Sequence, residues 1–370
     1  MATIAASEGP RVARINNVSP SRAAALMACR LAEGFRAAGN APCLPMHPKA
    51  HFGVLAHGFL RDAARGAFAG SSEAEIQSEW QRAVEGYEQK LKSQLSDCTI
   101  VPLARTCDDF EVNAYRVIAA ASRFTPPSRN NRVQDSSRVT GAEVEGVSAD
   151  RQIVGRLDRV TWEDGTLAVT DIKTGSVYDH EGGLRPELRI QLTLYSYLVH
   201  EKFRQWPKTL RILPLRGDPI TVPFTPADAE TLATEVKRAL ASANQLIQKI
   251  GLGVSDESEL ASPSPEACKF CRYRPTCESY WSARSVRPGA SWPRDVSGML
   301  LGVKPLGNKF HVLEIRGSNN AMLVVRGIGE LALQRIQDGM PVRVCDLKAE
   351  RAINVYSWKP TSFIWSPAFE

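Results

Sequence analysis

GRLDRVTWEDGTLAVTDIKTG, residues 155–175, is the stretch whose reading decides the fold. Residues 152–162 (QIVGRLDRVTW) alternate polar and apolar positions, the period of a half-buried strand. Asp164-Gly165 is a strong two-residue hairpin turn signal. Residues 166–173 (TLAVTDIK) form the returning strand. The hairpin carries Asp158 on its first strand and Asp171 and Lys173 on its second. Side chains two apart on a strand share a face, so Asp171 and Lys173 point together and Asp158 meets them from the neighbouring strand. Two close carboxylates repel each other unless a cation lies between them, and a divalent ion such as Mg²⁺ prefers hard oxygen ligands of this kind. A metal held there polarises a phosphodiester and lowers the pKa of a bound water. Lys173 then orients that water or offsets charge building on the phosphate. The bare D-x-K pattern is also common on plain surface hairpins, so its surroundings must carry the argument.

Upstream, the Ala-rich residues 20–38 read as one helix, with Ser19, Pro20 and Ser21 as its start signal. Helices follow over 51–69 and 72–95, and the Pro-, Ser- and Arg-rich residues 124–140 read as a surface loop. Downstream of the hairpin come a helix over 187–202, short strands near 209–214 and 219–223, and a long helix over 225–250 opened by Thr225. Residues 252–267 form a polar connector. Beyond about residue 290 the chain changes to short alternating strands (VSGMLLGVK, KFHVLEIRG, AMLVVRG, PVRVCDL, INVYSW), with one helical stretch from Ile328 to Gln337. That order predicts a small β-barrel of oligonucleotide-binding (OB) type.

The chain has 370 residues, 43% hydrophobic and 23% charged, ordinary values for a folded protein with a sizeable core. Its net charge of +6 suits a polyanionic partner without requiring one. The N-terminal MATIAASEGPRVARINN lacks the apolar run of a secretory signal. No stretch approaches the roughly 18 apolar residues of a membrane span. The expectation is a cytoplasmic protein with no membrane partner. No G-x-x-x-x-G-K-[ST] phosphate loop occurs, so no helicase motor is visible. Eight cysteines are too few for a disulfide scaffold at this length. Three of them, Cys268, Cys271 and Cys277, fall in CKFCRYRPTC, a spacing that points to a metal. They need a fourth ligand from Cys29, Cys43, Cys98, Cys107 or Cys345.

Taken in order, Gly155-Arg-Leu-Asp158-Arg, Asp171-Ile-Lys173-Thr-Gly175 and Gln191-Leu-Thr-Leu-Tyr195 resemble the RecB-type branch of the PD-(D/E)xK nuclease superfamily. The resemblance covers roughly residues 15–285. It implies an α/β, restriction-endonuclease-like core, a mixed sheet flanked by helices, over residues 1–285. It does not cover residues 286–370, where the strand order predicts the OB-like barrel, a binder of single strands or equally a protein-docking module. By that resemblance Asp158 and Asp171 are metal ligands, Lys173 is the catalytic lysine and the Ile172 backbone carbonyl is a further ligand. Gln191 and Tyr195, four apart on one helix face, match the QxxxY motif and would hold the DNA backbone near the metal. His57, in Gly53-Val-Leu-Ala-His57, matches the family's histidine ligand, and Glu143 stands where some relatives carry another acid. The cysteine spacing resembles the iron–sulfur members of the family, AddB-type and CRISPR-adaptation nucleases, whose upstream cysteine follows a Ser-x-Ser start. That resemblance selects Cys29, with Cys268, Cys271 and Cys277, for a 4Fe-4S cluster acting as a staple. Structural Zn²⁺ is the competitor, and Cys43, Cys98, Cys107 and Cys345 then read as ordinary thiols.

The implied activity is Mg²⁺- or Mn²⁺-dependent hydrolysis of DNA, by an exonuclease or endonuclease, with exonuclease action on single-stranded ends the leading form, in repair, recombination or defence. The chain would act alone or beside a separate helicase or recombination protein. A non-cleaving DNA-binding or assembly subunit, or a nuclease of CRISPR spacer processing, are the alternatives. Between residues 268 and 310 eight basic residues face two acids, with Tyr273, Tyr280, Trp281 and Trp292 interleaved. Basic groups track phosphates and aromatic faces stack on bases; the competing reading is aromatics packed against the domain.

Overall fold

The computed structural model describes residues 11–93, 98–124, 141–289, 291–318 and 320–367. The surface loop expected after Phe124 lies outside the described residues, as does the Cys98 side chain. Among the described residues, six helices stand ahead of the hairpin: α1 (Pro20–Ala28), α2 (Arg30–Ala37), α3 (Pro48–Ala64), α4 (Glu73–Lys92), α5 (Leu103–Thr106) and α6 (Phe110–Phe124). The helix expected over 20–38 is thus two helices. Cys29 breaks them apart, its backbone extended at φ −157 and ψ 110. Ser19 occupies the N-cap without a side-chain cap; its hydroxyl pairs with that of Ser21 at 3.1 Å. Helix α4 opens as its sequence suggests, because Ser72 and Glu75 form a reciprocal capping box that satisfies two orphan donors.

The hairpin belongs to a sheet of β1 (Gly141–Val147), β2 (Val154–Glu163), β3 (Thr166–Lys173), β4 (Thr209–Pro214) and β5 (Ile220–Thr221), in that spatial order. Asp164 and Gly165 both take positive φ, 49 and 75, as a hairpin whose turn matches the strand twist requires. Strands β3 and β4 are parallel, the others antiparallel. A parallel neighbour needs a crossover, and α7 (Pro186–Phe203) supplies it. Helix α8 (Pro226–Gly251) follows, opened by Thr225 in a second capping box with Asp228.

Two apolar cores flank this sheet. Leu157, Val160, Leu167 and Val169 pack with Leu192 and Leu198 of α7 and Val236 and Leu240 of α8. The other core joins α3, α4 and α6 through Phe52, Phe59, Trp80 and Val117, and Ile172 of β3 packs against it. Gly155 explains the glycine of its motif: a Cβ there would lie 2.7 Å from the Pro20 ring, so only glycine lets α1 approach β2. No described helix is long and apolar enough to cross a membrane.

Helices α9 (Pro265–Lys269) and α10 (Glu278–Val286) bracket the late cysteines. The chain then forms β6 (Val296–Gly307), β7 (Phe310–Gly317), β8 (Met322–Gly329), β9 (Pro341–Cys345), β10 (Lys348–Ala349), β11 (Val355–Ser357) and β12 (Phe363–Trp365). Their spatial order is β10-β11-β8-β7-β6-β9-β12, and β8 with β11 is parallel. The helix expected from Ile328 to Gln337 is only a short 3-10 turn, Glu330–Leu333, because β8 runs on through Gly329.

Arg274 and Asp295 join this second sheet to the cysteine segment. Both are nearly fully buried, and Arg274 Nε donates to Asp295 Oδ2 at 2.9 Å. Arg274 Nη1 also donates to the carbonyls of Cys268, Lys269 and Cys271 at 3.1, 2.8 and 3.3 Å. Asp295 accepts from the Tyr280 hydroxyl at 2.8 Å and from the Asp346 amide at 2.7 Å. Tyr280, Trp281 and Trp292 are buried around this pair. Of the interleaved aromatics, Tyr280, Trp281 and Trp292 are therefore packing groups, the second of the two readings that the sequence left open. Removing one partner of a buried, bonded ion pair leaves an uncompensated charge. Asp295→Ala is expected to lower unfolding free energy by about 3–5 kcal/mol, read from urea denaturation.

Candidate active site and cysteine group

The β2–β3 ladder ends at the pair Arg159↔Thr170. Beyond it the Asp158 carboxylate reaches the neighbouring strand, where its Oδ2 accepts from the Ile172 amide at 2.8 Å. His57, on α3, brings Nδ1 to 3.7 Å from the same oxygen. Asp171 is 1% exposed. Its Oδ1 accepts from Gln191 Nε2 at 3.1 Å, and Lys173 Nζ lies 2.8 Å from Oδ2. That oxygen forms the ion pair but no well-directed hydrogen bond. The Gln191 amide also donates to the Tyr195 hydroxyl at 3.0 Å, which donates to the Arg156 carbonyl at 3.0 Å. Both side chains are buried on α7. The sequence suggested that they hold DNA; here their bonds brace Asp171 and the β2 backbone.

Burial raises Asp171 to about 6, against the opposing charge of Lys173, and Asp158 adds to the rise. Asp158 is raised by burial as well, with the Ile172 amide and Lys173 opposing. His57 is lowered by burial and by Lys173, which favours the neutral imidazole that ligates metals. Carboxylate oxygens and a neutral imidazole are a donor set that a divalent cation fits, and the Asp171 oxygen without a hydrogen bond is the best-placed of them. Among the described residues, however, no group of three or more His, Cys, Asp or Glu side chains is already gathered in a metal-holding arrangement. The carboxylates are held instead by Ile172, Gln191 and Lys173.

Residues 17–278 match the family description "PD-(D/E)XK nuclease superfamily". The chain belongs to the PD-(D/E)XK nuclease superfamily. Membership implies a nuclease, an enzyme class that hydrolyses phosphodiesters and typically uses Mg²⁺ or Mn²⁺. The crystal structure of SSO0001 aligns with 53% of this chain and 95% of that one, at 17% identity and a TM-score of 0.24, too slight a likeness to argue from. No curated protein matches the chain.

Glu143 of this nuclease lies between Ala142↔Arg159 and Val144↔Leu157 in register, which sets it across from Asp158. Its carboxylate nonetheless turns to Arg61, Arg65 and Arg156. Sequence reasoning passed over those arginines, although His57, Arg61 and Arg65 recur every four residues, the spacing of one helix face.

Cys29, Cys268, Cys271 and Cys277 lie within electrostatic reach of one another, though among the described residues they are not gathered into a ready metal-holding group. Burial pushes Cys268 up to about 11, with Cys29 and Cys277 contributing. Burial likewise pushes Cys271 up to about 12, with Cys277, Cys268 and Cys29 contributing. Cys277, the N-cap of α10, is raised by burial and by Cys29. Three thiols that burial holds against ionisation, with Cys29 beside them, suit a cation that binds thiolates and releases their protons. Cys43 lies beside Thr276, Cys107 is buried among the helices, and Cys345 is buried near Asp295.

The raised Asp171 has a stability consequence for metal-free protein. Its folded pKa of about 6 exceeds the ordinary 3.8, so between these values the folded state holds a proton that the unfolded state has lost. Stability from this group therefore falls as pH rises from about 4 to about 6. Asp171→Asn is expected to melt at a higher temperature than the parent at pH 7 in chelator, with the difference shrinking at pH 4, read by thermal denaturation.

Proposed function

We propose that this chain is a RecB-type iron–sulfur nuclease that cuts DNA from single-stranded ends in repair, recombination or defence. The observation that carries the reading is the convergence of Asp158, Asp171, Lys173 and His57 from two strands and a helix onto one half-buried spot. Asp158, Asp171, His57 and the Ile172 carbonyl would hold Mg²⁺ or Mn²⁺. Bound there, the ion supplies Lewis acidity and an acidified water. The chain's own residues do the rest. Lys173, paired with Asp171, would orient the attacking water or offset charge on the phosphate. Gln191 and Tyr195 fix the Asp171 carboxylate, whose aim would otherwise depend on one flexible lysine.

Cys29, Cys268, Cys271 and Cys277 would carry a 4Fe-4S cluster, for which the extended backbone at Cys29 and the mutual effects of the four thiols speak. Structural Zn²⁺ is the competing occupant. The C-terminal sheet supports an OB-like barrel over residues 286–370. Its first three strands are consecutive neighbours, β9 returns beside β6, and β11 lies parallel to β8. Such a barrel would present single-stranded DNA to the site. A separate helicase or recombination protein would open the duplex. The intact site residues favour a cleaving enzyme over a non-cleaving assembly subunit, and the added sheet favours a role other than CRISPR spacer processing.

Lys173→Ala and Asp171→Ala are each expected to cut end-labelled single-stranded DNA at least about a hundredfold more slowly while DNA binding persists. Full activity in either purified variant sinks the site. Protein purified without oxygen is expected to be brown, with iron and sulfide and a band near about 400 nm from thiolate-bound iron. A colourless protein containing zinc removes the cluster and leaves the nuclease.

A further inference from the structure

Glu143 sits in a basic recess beside the candidate catalytic carboxylates. Arg61 Nη1, Arg65 Nη2 and Arg156 Nη1 lie 3.5, 3.0 and 3.4 Å from its carboxylate oxygens. Arg61 also donates through Nε to Asp62 at 3.0 Å. The acid is 18% exposed, whereas Arg65 and Arg156 are 56% and 66% exposed, so the guanidinium groups open to solvent around a more enclosed carboxylate. Three guanidiniums around one carboxylate exceed what a structural ion pair needs.

The placement matters more than the count. Arg61 is one helical turn beyond His57 on α3, about 6 Å along the axis, and Arg65 is a turn further. Arg156 is two residues before Asp158 on β2, on the same nominal face. Glu143 faces Asp158 across β1 and β2 and raises that group's pKa through its charge. It holds this position with φ +56, a left-handed backbone that side chains other than glycine rarely adopt. The arginines therefore continue the elements that carry the metal-ligand candidates and aim at a spot beside them. Arginine forks match a phosphate as well as they match a carboxylate.

We propose that Arg61, Arg65 and Arg156 form a clamp for one backbone phosphate of the DNA strand, next to the phosphate to be cut, and that Glu143 occupies the clamp when no strand is bound. This rests on the nuclease reading above. Glu143 is then a stand-in for the substrate, not a metal ligand. The clamp sets the strand's register at the site, and the carboxylate limits non-productive binding by competing for the same guanidiniums.

The test reads binding apart from cleavage. A labelled single-stranded DNA oligonucleotide is titrated with full-length protein in chelator, by fluorescence anisotropy, at several salt concentrations. Arg65→Ala and Arg156→Ala are expected to weaken binding several-fold regardless of base sequence, and each to lower the salt slope by about 0.7, the value for one lost contact to a single strand. Glu143→Gln is expected to tighten binding several-fold. Circular dichroism melts accompany each variant, and Arg65→Lys, which keeps the charge, is expected to retain the parent's salt slope. Unchanged affinity and slope in folded arginine variants overturn the clamp. Glu143→Gln that binds no tighter and loses metal-dependent cleavage also overturns it, because the acid is then a ligand. A chain that binds as expected but cuts nothing refutes the nuclease reading alone.

Discussion

A carboxylate at Asp171, almost wholly out of water, is the constraint around which the nuclease region is arranged. A buried charge is costly unless it is paired and hydrogen-bonded. Lys173 provides the pairing from two residues along the same strand, and Gln191 provides the hydrogen bond from α7. Gln191 is available because β3 and β4 run parallel. That pairing forces a crossover, the crossover is α7, and α7 returns across the sheet face that Asp171 shares. Ile172, the next residue, points into the helical core on the opposite side. One strand thus anchors two cores through alternate side chains and keeps its acid between them.

Much of this was legible because the hairpin carries its own punctuation. Strands β3 and β4 fall where the alternation and flanking turn residues set them, and Asp164-Gly165 turns as its composition demands. Gln191 and Tyr195 were legible as a pair but not in their contacts: a four-residue spacing says that two side chains share a face, not what that face meets. The break at Cys29 was hidden, since an Ala-rich run has high helix propensity throughout and its local composition does not mark the one extended residue. The aromatic residues near the late cysteines were ambiguous for a related reason. Tyr and Trp beside arginines serve equally to stack on bases or to fill a core with their polar ends bonded, and burial alone decides.

Arg274 makes a different kind of connection. Its guanidinium gathers three carbonyls of the cysteine loop and one buried carboxylate from the start of the C-terminal sheet. The loop's shape and the seating of that sheet therefore share one set of hydrogen bonds. Arg343 extends the contact, lying 5.2 Å from the Trp281 ring and 4.9 Å from that of Trp365. A single charged network spans the junction, so the two regions are coupled through the cysteine segment and not through a bare linker.

The extended residue between α1 and α2 has a consequence in time. Cys29 is made well before Cys268, Cys271 and Cys277, the thiols it interacts with, which follow only after the whole five-stranded sheet has been made. At translation speeds of about 5–20 residues per second, that thiol waits on the order of ten seconds or more. During that interval the two short helices have no partner for the residue that separates them, and the thiol is open to oxidants and stray metals. The contact among these cysteines is consequently completed late, and a nascent chain stalled before residue 268 would carry the hairpin and its acids without it.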